Sequence, residues 1–166
     1  MSPCSIRAAT PADLPAVADI LAHYVRTAHV TFDLEPRSVA AWSEWYERHV
    51  AGGPYHLFVA EFDATVAGYA TSGPFRPKPG YRRSAEVSVY LRPDATGRGA
   101  GRALYDVLLP ALSVDGFHRA YAGIALPNDA SIALHENVGF HHVGTFHEVG
   151  FKLGRWIDVA WYEREL

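Results

Sequence analysis

A strand that runs through glycine into a helix is the feature that most narrows what this chain can fold into. Ala85, Val87, Val89 and Leu91 alternate with Glu86, Ser88 and Tyr90, the period of two expected of a half-buried strand. Further on, Ala103, Leu104, Val107, Leu108, Ala111 and Leu112 recur at three and four residues, the stripe of an amphipathic helix. Between them stands Thr96-Gly97-Arg98-Gly99-Ala100-Gly101-Arg102, with three glycines in five positions. A turn of this kind aims several backbone N–H groups and the positive end of the helix dipole at one point. It is a cradle for phosphate.

Spacing speaks against two familiar phosphate loops. A P-loop needs four residues between its glycines followed by Lys and Ser or Thr, and neither the gap nor the lysine is here. The dinucleotide fingerprint G-x-G-x-x-G would put glycine where Arg102 stands, and it opens a first βαβ unit, whereas this motif follows more than half the chain. On this segment alone, glycines that merely turn a loop remain an alternative.

With 166 residues the chain is read as one domain, 1–166, long enough to bury about 70% of the surface its unfolded form exposes. Fifteen basic against eighteen acidic residues give a net charge of −3, which recommends no nucleic-acid partner. No apolar run approaches the ~20 residues of a membrane span. The start Met1-Ser2-Pro3-Cys4 lacks the basic and apolar regions of a secretory signal. The single cysteine, Cys4, suits the cytoplasm.

Taken in order, Ser5 to Ala9 predicts a short strand. A helix follows from Thr10-Pro11-Ala12-Asp13, with Thr10 or Asp13 as its cap and Leu14, Val17, Leu21, Tyr24, Val25 and Ala28 as its buried stripe. Ser38 caps a second helix with Val39, Trp42, Trp45, Tyr46 and Val50 inward; the loop between carries Phe32 at its centre. Tyr55–Phe62 and Thr65–Ser72 read as strands joined at Asp63-Ala64. The proline-rich stretch from Gly73 to Gly80 holds Arg76 and Lys78, and Arg82 and Arg83 follow. This densest positive cluster is either a solvated hairpin tip or an anion clamp. Phe117–Ile124 is a strand, Asn128 caps a helix closed by Gly139, and two strands surround Leu153-Gly154-Arg155. The fold class is α+β: a mixed, mostly antiparallel central sheet flanked by helices on both faces.

Glu86 lies on the strand leading to the glycine loop, on the face shared with Ser88 and Tyr90. It reads either as part of a wet strand face or as a proton acceptor beside whatever the loop binds. His135, His141 and His142 lack the spacing of a metal site, and no metal is expected. Trp156 and Asp158 read as structural.

The glycine segment resembles the acyl-CoA-binding motif of the GNAT superfamily of N-acetyltransferases, Gln/Arg-x-x-Gly-x-Gly/Ala, with Thr96 at the first position. The order of strands and helices is also that of the GNAT acyl-CoA N-acyltransferase fold. The resemblance implies acetyl-CoA as cosubstrate. Its pyrophosphate would lie on Gly97, Arg98, Gly99, Ala100, Gly101 and Arg102, its pantetheine along Val89, Tyr90 and Leu91, with a contact from Asn128. In Ala130-Ser131-Ile132-Ala133-Leu134-His135-Glu136-Asn137-Val138-Gly139-Phe140, His135 stands where generic members have the tyrosine that protonates the leaving thiolate. The ordered segments Arg76-Pro-Lys78-Pro-Gly-Tyr81, Glu86-Val-Ser-Val-Tyr90, Leu126-Pro-Asn-Asp129 and Gly150-Phe-Lys-x-Gly-x-Trp156-x-Asp-Val159 are similar to the phosphinothricin or methionine sulfoximine/sulfone N-acetyltransferase group. That implies acetylation of the amino group of a small anionic amino acid. Glu86 would be the base and His135 the acid, with an acceptor site of Phe32, Phe75, Arg76, Lys78, Tyr81, Glu86 and Ser88. It also implies a homodimer, for which the aromatic C-terminal strands offer an interface. Another amine acceptor, or a CoA-binding module without catalysis, remains the alternative.

Overall fold

The computed structural model describes residues 3–166; Met1 and Ser2, part of the start read for a secretory signal, lie outside them. Period-two segments become seven strands of one sheet: β1 (Ser5–Ala8), β2 (Leu57–Phe62), β3 (Thr65–Pro74), β4 (Ser84–Leu91), β5 (Arg119–Ala125), β6 (His141–Lys152) and β7 (Arg155–Glu165). Their spatial order is β1-β2-β3-β4-β5-β7-β6. Every neighbouring pair is antiparallel except β4–β5. Four helices cover the faces: α1 (Leu14–Thr27), α2 (Val39–Tyr46), α3 (Ala100–Val114) and α4 (Asp129–Asn137). The expected α+β architecture is the one found.

Because side chains alternate across a strand, each face of the sheet acquires its own core. On one face Leu104, Tyr105, Leu108 and Leu112 of α3, all fully buried, pack against Ala70, Ala85, Val87 and Ala120. On the other, Leu14, Val17 and Leu21 of α1 and Trp42 of α2 close over Val59 and Tyr69. Each such leucine or valine contributes about 1.5–3 kcal/mol by leaving water. The α3 stripe differs from the sequence reading: Tyr105 and Leu109 belong to it, and Val107 faces solvent. Val39, expected inward on α2, is likewise exposed, since Ser38 Oγ accepts from Ala41 N at 3.1 Å and this cap turns the first residue of α2 outward.

The entrance to α1 is more elaborate than a single cap. Pro11–Asp13 form a 3₁₀ turn, and the Asp13 carboxylate accepts from Thr10 N at 2.7 Å and Thr10 Oγ1 at 3.0 Å. Arg7 donates to both Asp13 oxygens at 2.8 and 2.7 Å and also to Glu61 on β2. The hydrogen bond from Arg7 holds the buried Asp13 carboxyl down at about 2, against the opposing effect of burial. This ties β1, β2 and the start of α1 together.

Two irregularities shape the site. First, β4 and β5 pair only from Ser84–Arg119 to Glu86–Tyr121 and then part. Second, β6 slips register against β7 between Phe146 and Gly150. Asp158 holds the resulting bulge, accepting from Glu148 N at 2.7 Å and His147 Nδ1 at 3.0 Å, which is the structural role expected of it.

Candidate active site

Where β4 and β5 part, the facing backbone of both strands has no strand to pair with. The wedge opens a cavity of about 430 Å³ whose walls include Val89, Tyr90 and Leu91 on one side and Ala122–Ala125 on the other. At its end lies the glycine loop. Gly97 and Gly99 have φ of +71° and +82°, a region that L side chains rarely enter, and nothing occupies the space where a Cβ would stand. Gly99 caps α3 without any side-chain hydrogen bond, so the N–H groups of the first turn are open to an anion. Gly101 lets α3 approach α4, since a Cβ there would sit 3.0 Å from Leu134 Cδ2.

The sequence-derived contacts divide accordingly. Gly97, Gly99, Gly101, Arg102 and Asn128 line the wedge, and Asn128 also caps α4 by accepting from Ser131 N at 3.2 Å. Arg98 and Ala100 do not line it. The Arg98 guanidinium stacks 3.6 Å from the centre of the Phe62 ring, and Ala100 is fully buried in the core. Arg102 reaches the wedge while paired with Asp106 at 2.8 Å.

His135 lies at the wall of the same wedge, only 4% exposed. Its Nδ1 is 2.7 Å from the Ser131 carbonyl, which can only accept, so Nδ1 carries the proton. Nε2 then accepts from the Tyr105 hydroxyl at 2.8 Å. Burial pushes the imidazole pKa down, against the carbonyl hydrogen bond, and the neutral form is favoured. Expected as the acid for a leaving sulfur, His135 in this arrangement has no proton facing the wedge. In this arrangement it links α3 to α4 at the wall of the wedge.

Glu86 stands at a junction. It lines a polar cavity of about 360 Å³ together with Asp33, Arg37, Thr71 and Ser88, and an apolar cavity of about 560 Å³ together with Phe32, Phe151 and Trp161. Ser88 and Tyr90, which line the wedge, also belong to the polar cavity. Burial pushes the Glu86 carboxyl above its ordinary value, partly offset by Arg76. Among the described residues no side chain donates a hydrogen bond to it. A half-buried carboxylate with a raised pKa and a free face is suited to accept a proton.

The other acceptor-site expectations fare unevenly. Phe32 reaches the apolar cavity, its ring fitted against Gly150. Arg76 is held by stacking, 4.3 Å from the Phe75 ring centre and 5.5 Å from that of Trp161, within electrostatic reach of Glu86. Phe75 itself packs on Tyr121 at 4.2 Å and supports Arg76 without lining either cavity. Lys78 and Tyr81 are exposed and line neither, because Pro77, Pro79 and the short 3₁₀ turn Pro79–Tyr81 carry them outward. Asp33, Arg37 and Trp161 were not anticipated. The only signal for the first two was a pair of opposite charges four residues apart, just after the aromatic Phe32.

One more buried cation organises the region. Lys152, 4% exposed, donates from Nζ to the Thr31 carbonyl at 2.7 Å. It thereby fixes the loop that sends Phe32 into one cavity and Asp33 into the other.

A split between two parallel strands, a capless helix behind a glycine turn and an unpartnered glutamate beside the split define an acyl-CoA-type transferase site. The sequence matches the acetyltransferase (GNAT) domain family over residues 6–161, and the chain belongs to that family. It is 50% identical over 164 residues to a phosphinothricin N-acetyltransferase of Streptomyces coelicolor, covering 97% of this chain and 95% of that protein. It is 35% identical over 162 residues to an L-methionine sulfoximine/L-methionine sulfone acetyltransferase of Pseudomonas aeruginosa, covering 98% and 94%. The crystal structure of a phosphinothricin acetyltransferase from Sinorhizobium meliloti in complex with AcCoA superposes with a TM-score of 0.94 at 35% identity, covering 98% of this chain and 88% of that one.

Proposed function

We propose that this chain moves an acetyl group from acetyl-CoA to the amino group of a small anionic amino acid of the phosphinothricin or methionine sulfoximine/sulfone type. The relatives' activities support the reaction class. The observation that carries the reading in this chain is the Glu86 carboxylate, which no side chain among the described residues engages, shared by the polar and apolar cavities and set at the last β4–β5 pair before the wedge opens.

When bound, acetyl-CoA supplies a thioester carbonyl open to attack by an amine. The open N–H groups of the first turn of α3, with Gly97 and Gly99, would hold its diphosphate. The edge of Val89 to Leu91 left without a β5 partner would hold its arm and polarise the carbonyl. Glu86, with its raised pKa, takes the proton of the substrate ammonium directly or through one water. The charge of Arg76 partly offsets that rise and so favours the ionised carboxylate. His135, bonded to Tyr105 and Ser131 at the wall of the wedge, or solvent would return a proton to the leaving sulfur. No helix among the described residues is long and apolar enough to cross a membrane. One cysteine, unpaired, is consistent with work in a reducing cytoplasm.

A second copy of the chain is part of the reading. Phe146, Val149, Phe151 and Trp156 are all more than half exposed on the β6–β7 hairpin. Monomers rarely leave such a contiguous apolar strip in water.

The test is release of free CoA thiol with a panel of amino acids and their sulfone, sulfoximine and phosphinate analogues. Turnover with the analogues supports the reading; binding of acetyl-CoA without turnover of any amine would favour a CoA-binding module. Glu86→Gln should lower kcat by about 10²–10⁴ at neutral pH and leave acetyl-CoA binding unchanged. In the parent enzyme the acidic limb of kcat/KM should lie above the ordinary carboxylate range, because a raised pKa delays ionisation; Glu86→Gln should abolish that limb. An unaltered rate removes Glu86 from the mechanism.

A further inference from the structure

The polar cavity holds two opposite charges that do not meet. Asp33 and Arg37 both line it, yet no ion pair or side-chain hydrogen bond engages either among the described residues. Arg37 is held from the other side, its guanidinium 4.8 Å from the centre of the Trp42 ring. Trp42 lines the same cavity, and its buried indole N–H has no hydrogen-bond partner among the described residues. Glu86 and Ser88 close the side nearest the wedge. Asp33 is set in place because the neighbouring Thr31 carbonyl is pinned by Lys152. A half-buried guanidinium stacked on an aromatic has lost rotamer freedom while keeping its donors free, which favours a ligand carboxylate.

We infer that Arg37 binds the α-carboxylate of the acceptor while Asp33 and Glu86 share its ammonium, so that a zwitterionic α-amino acid bridges two charges the protein keeps apart. This rests on the acetyltransferase reading and deepens it. The stacked Arg76, which does not line this cavity, is left for the phosphinate, sulfone or sulfoximine oxygens at the end of the substrate's side chain. The arrangement gives the ammonium a reason to sit at Glu86: a carboxylate on Arg37 aims the amine there.

The experiment compares one accepted amino acid with its α-carboxamide and with the amine lacking the carboxyl group, in the parent enzyme, Arg37→Met, Arg37→Lys and Arg76→Met. The parent should favour the acid by about 10²-fold or more in kcat/KM, because a site built for a charged hydrogen bond rejects the analogue that lacks it. Arg37→Met should raise KM for the acid by about 10- to 100-fold, the range for a hydrogen bond to a charged group, and reduce the preference by the same factor. KM for acetyl-CoA should stay unchanged, which also reports that the variant folds. Arg37→Lys should recover part of the preference. Arg76→Met should leave the acid-to-amide ratio intact. If Arg76→Met collapses the ratio and Arg37→Met does not, the assignment of the carboxylate is wrong while the acetyltransferase reading stands. If the parent releases no CoA with any amino acid, both fail together.

Discussion

Replacing Gly150 by alanine isolates the acceptor side of the site with a single methyl group. A Cβ at Gly150 would lie 2.7 Å from Phe32 Cδ1, and closer still to Cε1 and Cζ. Carbon atoms at rest sit about 3.5–4.0 Å apart, so something must withdraw by about 1 Å or more. The backbone of β6 cannot easily yield, because Gly150 pairs with Ile157 on β7. The loop cannot simply swing away either, since Thr31 is held by Lys152, two residues further along β6. The ring of Phe32, 40% exposed, is the part able to move. It should rotate out of the apolar cavity it now lines. Overpacking of this kind costs about 1–3 kcal/mol, which for a chain of this size lowers Tm by roughly 2–12 °C. Loss of the ring from the cavity should raise KM for the amino acid about tenfold, equivalent to about 1.4 kcal/mol, and leave KM for acetyl-CoA untouched. The decisive assay is a double-mutant cycle read by thermal unfolding and by both KM values. With Phe32→Ala already present, Gly150→Ala should cost almost nothing. Equal costs in both backgrounds, or a parallel rise in the two KM values, would refute the argument.

Two further outcomes follow from other parts of the structure. Asp13 has a folded-state pKa of about 2 against an ordinary 3.8, so its share of stability is full above that ordinary value and is lost as pH falls towards 2. Asp13→Asn should therefore lower stability by about 2 kcal/mol at neutral pH, with the difference from the parent shrinking through that acid window in urea melts; a pH-independent difference would mean that the carboxylate's charge is not what matters. On the β6–β7 hairpin, Phe151 and Trp156 contact each other with ring centres 5.1 Å apart and remain mostly in water. Phe151→Glu/Trp156→Glu should convert a dimer to monomer in sedimentation velocity, and a parent that already sediments as a monomer at micromolar concentration would eliminate the second copy.

How much of this was legible in the sequence depended on what each feature is made from. Strands and helices were readable because burial on one face writes a period into the chain, and the order of elements came through intact. The wedge was readable for a related reason: its glycine-loop end consists of backbone, and backbone geometry is announced by glycine spacing. Side-chain directions at that same loop were not. Nothing local says that Arg98 turns back onto Phe62, more than thirty residues earlier in the chain. His135 is the sharpest case. Its position was legible, but its proton was not, because the tautomer depends on a carbonyl one turn away and a hydroxyl on another helix. In the proline-rich loop, a run of cations concealed one useful member: Arg76 is fixed by two aromatic rings, whereas Lys78 points to solvent.

The two halves of the site differ in the same way. The half proposed for the thioester is made of peptide groups, which every sequence possesses, so substitutions near it should change little as long as the glycines remain. The half proposed for the acceptor is assembled from side chains on the 30–37 loop, β3, β4, β6 and β7, among others, segments far apart in the chain. Lys152 ties the loop to β6 by a hydrogen bond, and the bulge held by Asp158 brings Val149 to the apolar cavity. Changing which amine is accepted therefore requires no change in the sheet. Altering Phe32, Asp33 or Arg37, or moving the loop by way of Gly150 or Lys152, would reshape both cavities around a fixed Glu86. Such changes should appear in the acceptor's KM before they appear in the thioester's.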